Sequence, residues 1–220
     1  MGANADSRIL DIGCGDGYTT LNIAKNFPGT AFTGVDYSGN MIANAQLNLK
    51  SLSLSTAHLS FQVADATHIS NYFEPGSFDF ILSDRCLINL ENRTNQYSAI
   101  KQIGGLLKQG GYYLAIENFE EGQNNLNKAR ETMGLNEIPI RWHNLFFREK
   151  EFVQNAGNWF SSIEFADFSS AYYYATRVIY SAMCKLRNEE PDYLHDIHRI
   201  AVDLPPFGSY SPIRLVILRK

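Results

Sequence analysis

Two carboxylates and three alternating glycines carry the chemistry legible in this chain. In Ile9-Leu10-Asp11-Ile12-Gly13-Cys14-Gly15-Asp16-Gly17-Tyr18, a short apolar strand runs into an acid and then glycines at alternate positions. A backbone that turns sharply while touching a ligand cannot carry β-carbons there, and glycine alone takes positive φ cheaply. Dinucleotide sites use G-x-G-x-x-G with a pyrophosphate on the helix N-terminus. Here the third dinucleotide glycine is replaced by Tyr18. Asp11 precedes the first glycine, where it repels a pyrophosphate but suits a ligand bearing an ammonium and a sulfonium. A second apolar run, Ala31 to Val35, ends in Asp36, whose carboxylate can accept both hydroxyls of a ribose. The pattern reads as a nucleoside-cofactor pocket at a first βα turn. The competing reading is a glycine-rich turn that serves packing alone.

These residues resemble motif I of the class I S-adenosylmethionine-dependent methyltransferases, and the resemblance continues. It runs through Gly34-Val35-Asp36-Tyr37-Ser38, Val63-Ala64-Asp65-Ala66, Phe78-Asp79-Phe80-Ile81-Leu82-Ser83 and Leu106-Leu107-Lys108-Gln109-Gly110-Gly111-Tyr112. It is close from residue 8 to about 117 and only architectural beyond. It implies S-adenosylmethionine as cofactor, with Asp11, Gly13, Cys14, Gly15, Gly17, Asp36, Tyr37, Met41, Asp65, Ala66 and Ser83 forming its site. Asp65 would accept the adenine amino group, with the Ala66 amide at the ring edge, or else simply cap a turn. Tyr37 would lie against the adenine face. Ser83 and Asp84 would border the reacting end. Members of this class usually carry one or two covering helices before the first strand. This chain reaches that strand at about Arg8, so the expectation is that these helices are missing and something else supplies the lid.

Methyl transfer from a sulfonium is an in-line displacement, and the protein mainly positions the acceptor behind the methyl group. A hydroxyl acceptor loses its proton on attack, so a general base helps. His143 is the first candidate, in the run Arg141-Trp142-His143-Asn144, with a cation, a large flat surface and an amide around it. The plainer reading is that Trp142 anchors the loop in the core. Arg85 and Arg141 are candidate catalytic and substrate-binding cations, and Arg85 suits a local salt bridge equally well. Asn89, Trp142, Tyr173 and Arg177 are further candidates for the acceptor pocket, with Arg93 beside them. Tyr172, Tyr173, Tyr174 and Tyr180 fit packing at helical spacing as well. The stretch Arg85-Cys86-Leu87-Ile88-Asn89-Leu90 and the later Arg-Trp-His-Asn run resemble bacterial methyltransferases of surface-polysaccharide biosynthesis. That resemblance implies O-methylation of a sugar or phosphate-bearing metabolite. N-methylation, an NAD-dependent dehydrogenase and a non-catalytic cofactor-binding partner are the rival readings. Asp84 and Glu117 are too sparse a set for a metal, and none is expected.

Elements must position these groups. Apolar runs alternate with helical patterns through the first half, which signals βαβ units and a parallel sheet. Strands are expected at about 8–12, 31–35, 60–64, 78–82, 112–116, 160–167 and 213–218. Helices are expected at about 18–26, from a Ser38 cap onward, at 94–108, 149–156, 172–188 and 192–202. Residues 118–148 read as polar and irregular. The resemblance implies an α/β, Rossmann-like, seven-stranded, mostly parallel sheet of order 3-2-1-4-5-7-6. Helices would cover both faces, with insertions after strands five and six at about 118–148 and 169–209, all in one domain, 1–220. In such a sheet the ligand lies across the carboxyl ends of the strands, where Asp11, Asp36, Asp65, Ser83 and Glu117 are expected.

Composition narrows the partners. The chain has 220 residues, 45% hydrophobic and 19% charged, with net charge −4. That is ordinary for a globular domain and gives no electrostatic handle on nucleic acid or anionic membrane. Three cysteines without a Cys-x-x-Cys pattern fit a reducing compartment, taken as the cytoplasm. No membrane span or signal peptide is expected, and the Met1-Gly2 start lacks the Ser or Thr that myristoylation needs at position 6, which is Asp6. The expected partner is a small-molecule acceptor, and a homodimer is compatible with the sequence.

Overall fold

The computed structural model describes residues 6–52 and 58–220, so the Met1-Gly2 start lies outside the described residues. A seven-stranded sheet of order β3-β2-β1-β4-β5-β7-β6 organises them. Its strands are β1 (Arg8–Ile12), β2 (Ala31–Asp36), β3 (Leu59–Val63), β4 (Phe78–Asp84), β5 (Leu107–Asn118), β6 (Ser162–Ala166) and β7 (Ile213–Arg219). Strands β1 to β5 run parallel. β7 lies antiparallel to both β5 and β6. The expected order of a mostly parallel sheet is present.

Local chemistry sets the helices. The Ser38 hydroxyl accepts from the Met41 amide at 3.3 Å and opens α2 (Gly39–Ser51). Asn92 does the same for α3 (Arg93–Leu106), accepting from the Asn95 amide at 2.9 Å. α1 (Tyr18–Ala24) stops ahead of Pro28-Gly29. One apolar cluster joins Leu21 of α1 with Ile42 and Ala45 of α2 and with Phe61 of β3. A larger one joins β1, β4 and β5 with Ala99, Ile100 and Ile103 of α3 and Phe152 of α5 (Glu149–Ala156). Side chains alternate across each strand, so both faces of the sheet are buried.

Three expectations about elements change. β5 begins at Leu107 rather than 112, because the strand continues through a bulge at Gly110, which takes φ +78°, and the register against β4 shifts there. The segment 118–148 holds a helix, α4 (Glu120–Thr132). Its buried face is narrow: Gly122, Gln123 and Leu126, with no apolar stripe for the sequence pattern to show. Gly122 lets the helix backbone press against the Ser211 carbonyl, where a Cβ has no room. The helical stretch after β6 begins earlier than expected, with α6 (Ser170–Tyr173). It widens into a π turn (Tyr174–Tyr180) and continues as α7 (Ser181–Arg187). A short α8 (Ile197–Ala201) follows. Among the described residues no helix is long and apolar enough to cross a membrane.

Candidate active site

The loop from β1 into α1 takes positive φ at Gly13, Gly15 and Gly17. At Gly13 a Cβ would run into the Cys86 side chain, so this glycine permits close packing of the loop on the turn after β4. At Gly15 nothing lies within 4 Å of the place a Cβ would take, so the backbone there borders open space. The Gly15 amide donates to Asp36 Oδ2 at 3.0 Å, and the Ser38 amide donates to Asp36 Oδ1 at 2.8 Å. A carboxylate offers about four lone-pair sites. Two are used, so one on each oxygen remains for a ligand's hydroxyls.

A cleft of about 540 Å³ opens at the carboxyl ends of the parallel strands. Gly13, Asp36, Tyr37, Asp65, Ala66, Arg85 and Asn89 line it together, as do Asp84, Glu91 and Asn95. Asp65 also caps a 3-10 turn (Ala66–Asn71): its Oδ1 accepts from the Thr67 amide at 2.8 Å and hydroxyl at 2.7 Å. Burial pulls the Asp65 carboxyl up, but the Thr67 and His68 hydrogen bonds together outweigh it and hold the group below its ordinary value. The cap reading and the cleft reading of Asp65 therefore describe one arrangement.

The remaining candidates lie off the cleft wall. Asp11 is buried, 4% exposed, and its Oδ2 accepts from the Thr20 hydroxyl at 2.5 Å. Burial pushes its pKa up to about 6, the Thr20 bond opposes this, and the nearby Asp84 and Asp36 charges add to it. Cys14 is buried in the small cluster beneath the loop, and burial likewise raises its thiol. Gly17 precedes α1 as its N-cap. Met41 stands half-exposed in the first turn of α2. Ser83, expected at the reacting end, is 1% exposed and faces inward, bonded to Tyr113 Oη at 2.7 Å and Glu117 Oε1 at 2.9 Å.

On the acceptor side the structure separates what the sequence grouped. Trp142 is 95% exposed, which removes the core-anchor reading, and it meets His143 edge-on with ring centroids 5.3 Å apart. Arg141 and His143 are exposed beside it and do not line the cleft. Arg93 is held by Glu120 at 3.3 Å and lies over the Phe147 ring. Tyr173 is partly buried. Burial raises its phenol, and the positive charges of Arg177 and Arg85 oppose that rise. The Arg177 guanidinium lies over Tyr193 at 4.9 Å. Arg85 remains on the wall, pairing loosely with Asp84 at 3.4 Å. Glu91 and Asn95 were not anticipated. They follow β4 in a polar stretch whose side chains carry no motif, and only the return of the chain over the strand end turns them toward the cleft.

The residues fit S-adenosylmethionine. Gly15 leaves space, Asp36 and Asp65 keep free lone pairs on the wall, and Tyr37 offers an exposed ring there. Bound there, the cofactor supplies a methyl group activated by the adjoining sulfonium.

A family model described as a methyltransferase domain matches residues 3–159. Malonyl-[acyl-carrier protein] O-methyltransferase of Geobacter sulfurreducens is 26% identical over 211 residues, 94% of this chain and 68% of that protein. Ubiquinone biosynthesis O-methyltransferase of Albidiferax ferrireducens is 30% identical over 108 residues, covering 49% of this chain and 40% of that protein. Among solved structures, a SAM-dependent methyltransferase of Methanosarcina mazei superposes with TM-score 0.62 at 19% identity, over 99% of this chain and 94% of its own. Geranyl diphosphate C-methyltransferase of Streptomyces coelicolor, solved with S-adenosyl-L-homocysteine, superposes with TM-score 0.60 at 15% identity, over 99% of this chain and 74% of its own. At these identities the structural likeness speaks for the fold.

Proposed function

We propose, from the premise that the chain belongs to the methyltransferase-domain family and is a class I S-adenosylmethionine-dependent methyltransferase, that it methylates oxygen on a small polar acceptor. The acceptor carries an anionic group, as a sugar phosphate or another phosphate-bearing metabolite does. The polarity of the cleft carries this reading. Beyond Asp36 and Asp65, which this reading gives to the cofactor, the Asp84–Arg85 pair, Asn89, Glu91 and Asn95 line it, with Arg85 the single cation among them. A guanidinium on the wall suits an anionic acceptor group.

Asp84 takes the proton of the attacking hydroxyl in this proposal. Its position on the wall beside Arg85 supports the assignment, whereas neither His143 nor Arg141 lines the cleft. The relative from Geobacter sulfurreducens, similar over nearly the whole chain, is named as an O-methyltransferase, which supports oxygen over nitrogen. The single sheet supports reading residues 1–220 as one domain, and the free cysteines Cys14, Cys86 and Cys184 support a reducing, cytoplasmic setting.

The test pairs calorimetry with S-adenosylhomocysteine and a methyl-transfer screen over sugar phosphates, nucleotide sugars, carboxylated thioesters and amines. The expected result is methyl transfer to an oxygen of an anionic acceptor, with Arg85→Ala raising acceptor KM by about tenfold, the worth of one charged hydrogen bond. Methylation of amines alone, or an unchanged KM in Arg85→Ala, overturns the acceptor assignment.

A further inference from the structure

Glu117 is a buried carboxylate that the proposed reaction does not use. It stands at the end of β5 with 0% exposure. Its Oε1 accepts from the Leu87 amide at 3.1 Å and from the Ser83 hydroxyl at 2.9 Å, and its Oε2 accepts from the Ile88 amide at 3.4 Å. Leu87 and Ile88 begin the 3-10 turn after β4 (Leu87–Asn89). That turn follows directly on Asp84, Arg85 and Cys86, which line the cleft.

The turn needs holding. Arg85 takes φ +49°, a left-handed conformation that side-chain-bearing residues rarely adopt. Its amide donates to the Ile116 carbonyl at 2.7 Å, and Asn89 Nδ2 donates to its carbonyl at 2.7 Å. Glu117 supplies the third tie, from beneath. Strain of this kind persists where the surroundings over-determine it.

We propose that Glu117 is a positioning residue: through the Leu87 and Ile88 amides it fixes the left-handed Arg85 kink and so aims Arg85 and Asp84 into the cleft. The proposal rests on the reading of that cleft as the methyl-transfer site. Burial raises the Glu117 carboxyl to about 7, against the opposing hydrogen bonds of Leu87, Ser83 and Ile88. The titratable groups that feel its charge are the Tyr113 phenol on β5 and the Cys86 thiol in the turn, both driven upward by burial and so neutral. A protonated Glu117 is a weaker acceptor for the two amides, so the tie loosens on acidification through neutrality.

The test uses the ligand-free full chain, labelled with 15N, titrated from about pH 5 to about pH 9 around the raised carboxyl value. The Leu87 and Ile88 amides and the Arg85 Nε–H should move together, with one midpoint near neutrality. Glu117→Gln should abolish that shared transition while leaving the rest of the spectrum native. Ser83→Ala, which removes one stabilising donor, should move the midpoint upward. Should Glu117→Gln fail to fold, the wild-type titration and Ser83→Ala still decide the matter. Flat Leu87 and Ile88 shifts in the wild type overturn the proposal. So does a transition that persists in Glu117→Gln, an Arg85 signal that ignores the transition, or an unmoved midpoint in Ser83→Ala. Calorimetry with S-adenosylhomocysteine on the same samples separates the two ideas: absent binding with an intact transition defeats the cleft reading and leaves the tie standing.

Discussion

The Gly15 amide donates to the Asp36 carboxylate at 3.0 Å, so the loop after β1 is bound to the end of β2 by the same group that faces the cleft. One carboxylate thus shapes the glycine loop and keeps spare lone pairs on the cleft wall. Removing it should damage both roles.

Asp36→Ala is expected to weaken S-adenosylhomocysteine binding by ~1–3 kcal/mol, since it leaves the Gly15 and Ser38 amides and the ligand hydroxyls without a partner. Titration calorimetry measures this. Unchanged affinity would show that the cofactor's ribose does not contact Asp36.

Gly13→Ala should destabilise the fold by roughly 2–4 kcal/mol. A left-handed φ of +77° costs a side-chain-bearing residue about 1–2 kcal/mol, and overpacking against Cys86 adds to it. Urea denaturation gives the number. Gly15→Ala at φ +56° meets open space and should cost only the backbone part. Equal stability losses at the two glycines would contradict the close approach of Gly13 to the turn.

Asp84→Asn should lower kcat by about 10²-fold or more with cofactor affinity retained, the scale of a lost general base. His143→Ala should leave turnover near wild type because His143 does not line the cleft. The reverse pattern in steady-state kinetics would return the base role to His143 and imply closure of its loop over the cleft.

The pH dependence of stability should carry the mark of Asp11. Its folded value, about 6, lies above the ordinary 3.8. The native state therefore binds more protons between these values, and stability falls as pH rises through them. Above about pH 6 the full penalty applies, on the order of 3 kcal/mol at about 1.4 kcal/mol per unit. Glu117, raised from 4.5 to about 7, acts with the same sign over its own window. His198 is held below its usual 6.5, by burial first and then by Arg177, and works in the opposite sense. The clean measurement is thus a difference: Asp11→Asn should gain stability over wild type as pH rises from about 4 to about 7. Parallel curves for the two proteins would rule out a raised Asp11.

Much of this protein was legible in its sequence because short-range rules govern it. The alternating glycines, the acid at the end of β2, the Ser38 cap and the Pro28-Gly29 stop each act within a few residues, and the strand order followed from resemblance to a known family. α4 left no periodic signal because its buried face is narrow, with Leu126 as its one fully apolar side chain and Gly122 fitted to the Ser211 backbone. Ser83 and Trp142 show the same limit in opposite directions. Ser83 turned inward because Glu117 and Tyr113 supply hydrogen-bond partners from β5, a strand about thirty residues on. Trp142 stands in solvent within the Arg141–Asn144 turn, although its large apolar surface favoured the core. Residue type determined which groups this chain owns and how its loops bend. Only the assembled sheet decided which of those groups share a cleft, because burial, and the polar partners that make burial tolerable, come from segments distant in the chain.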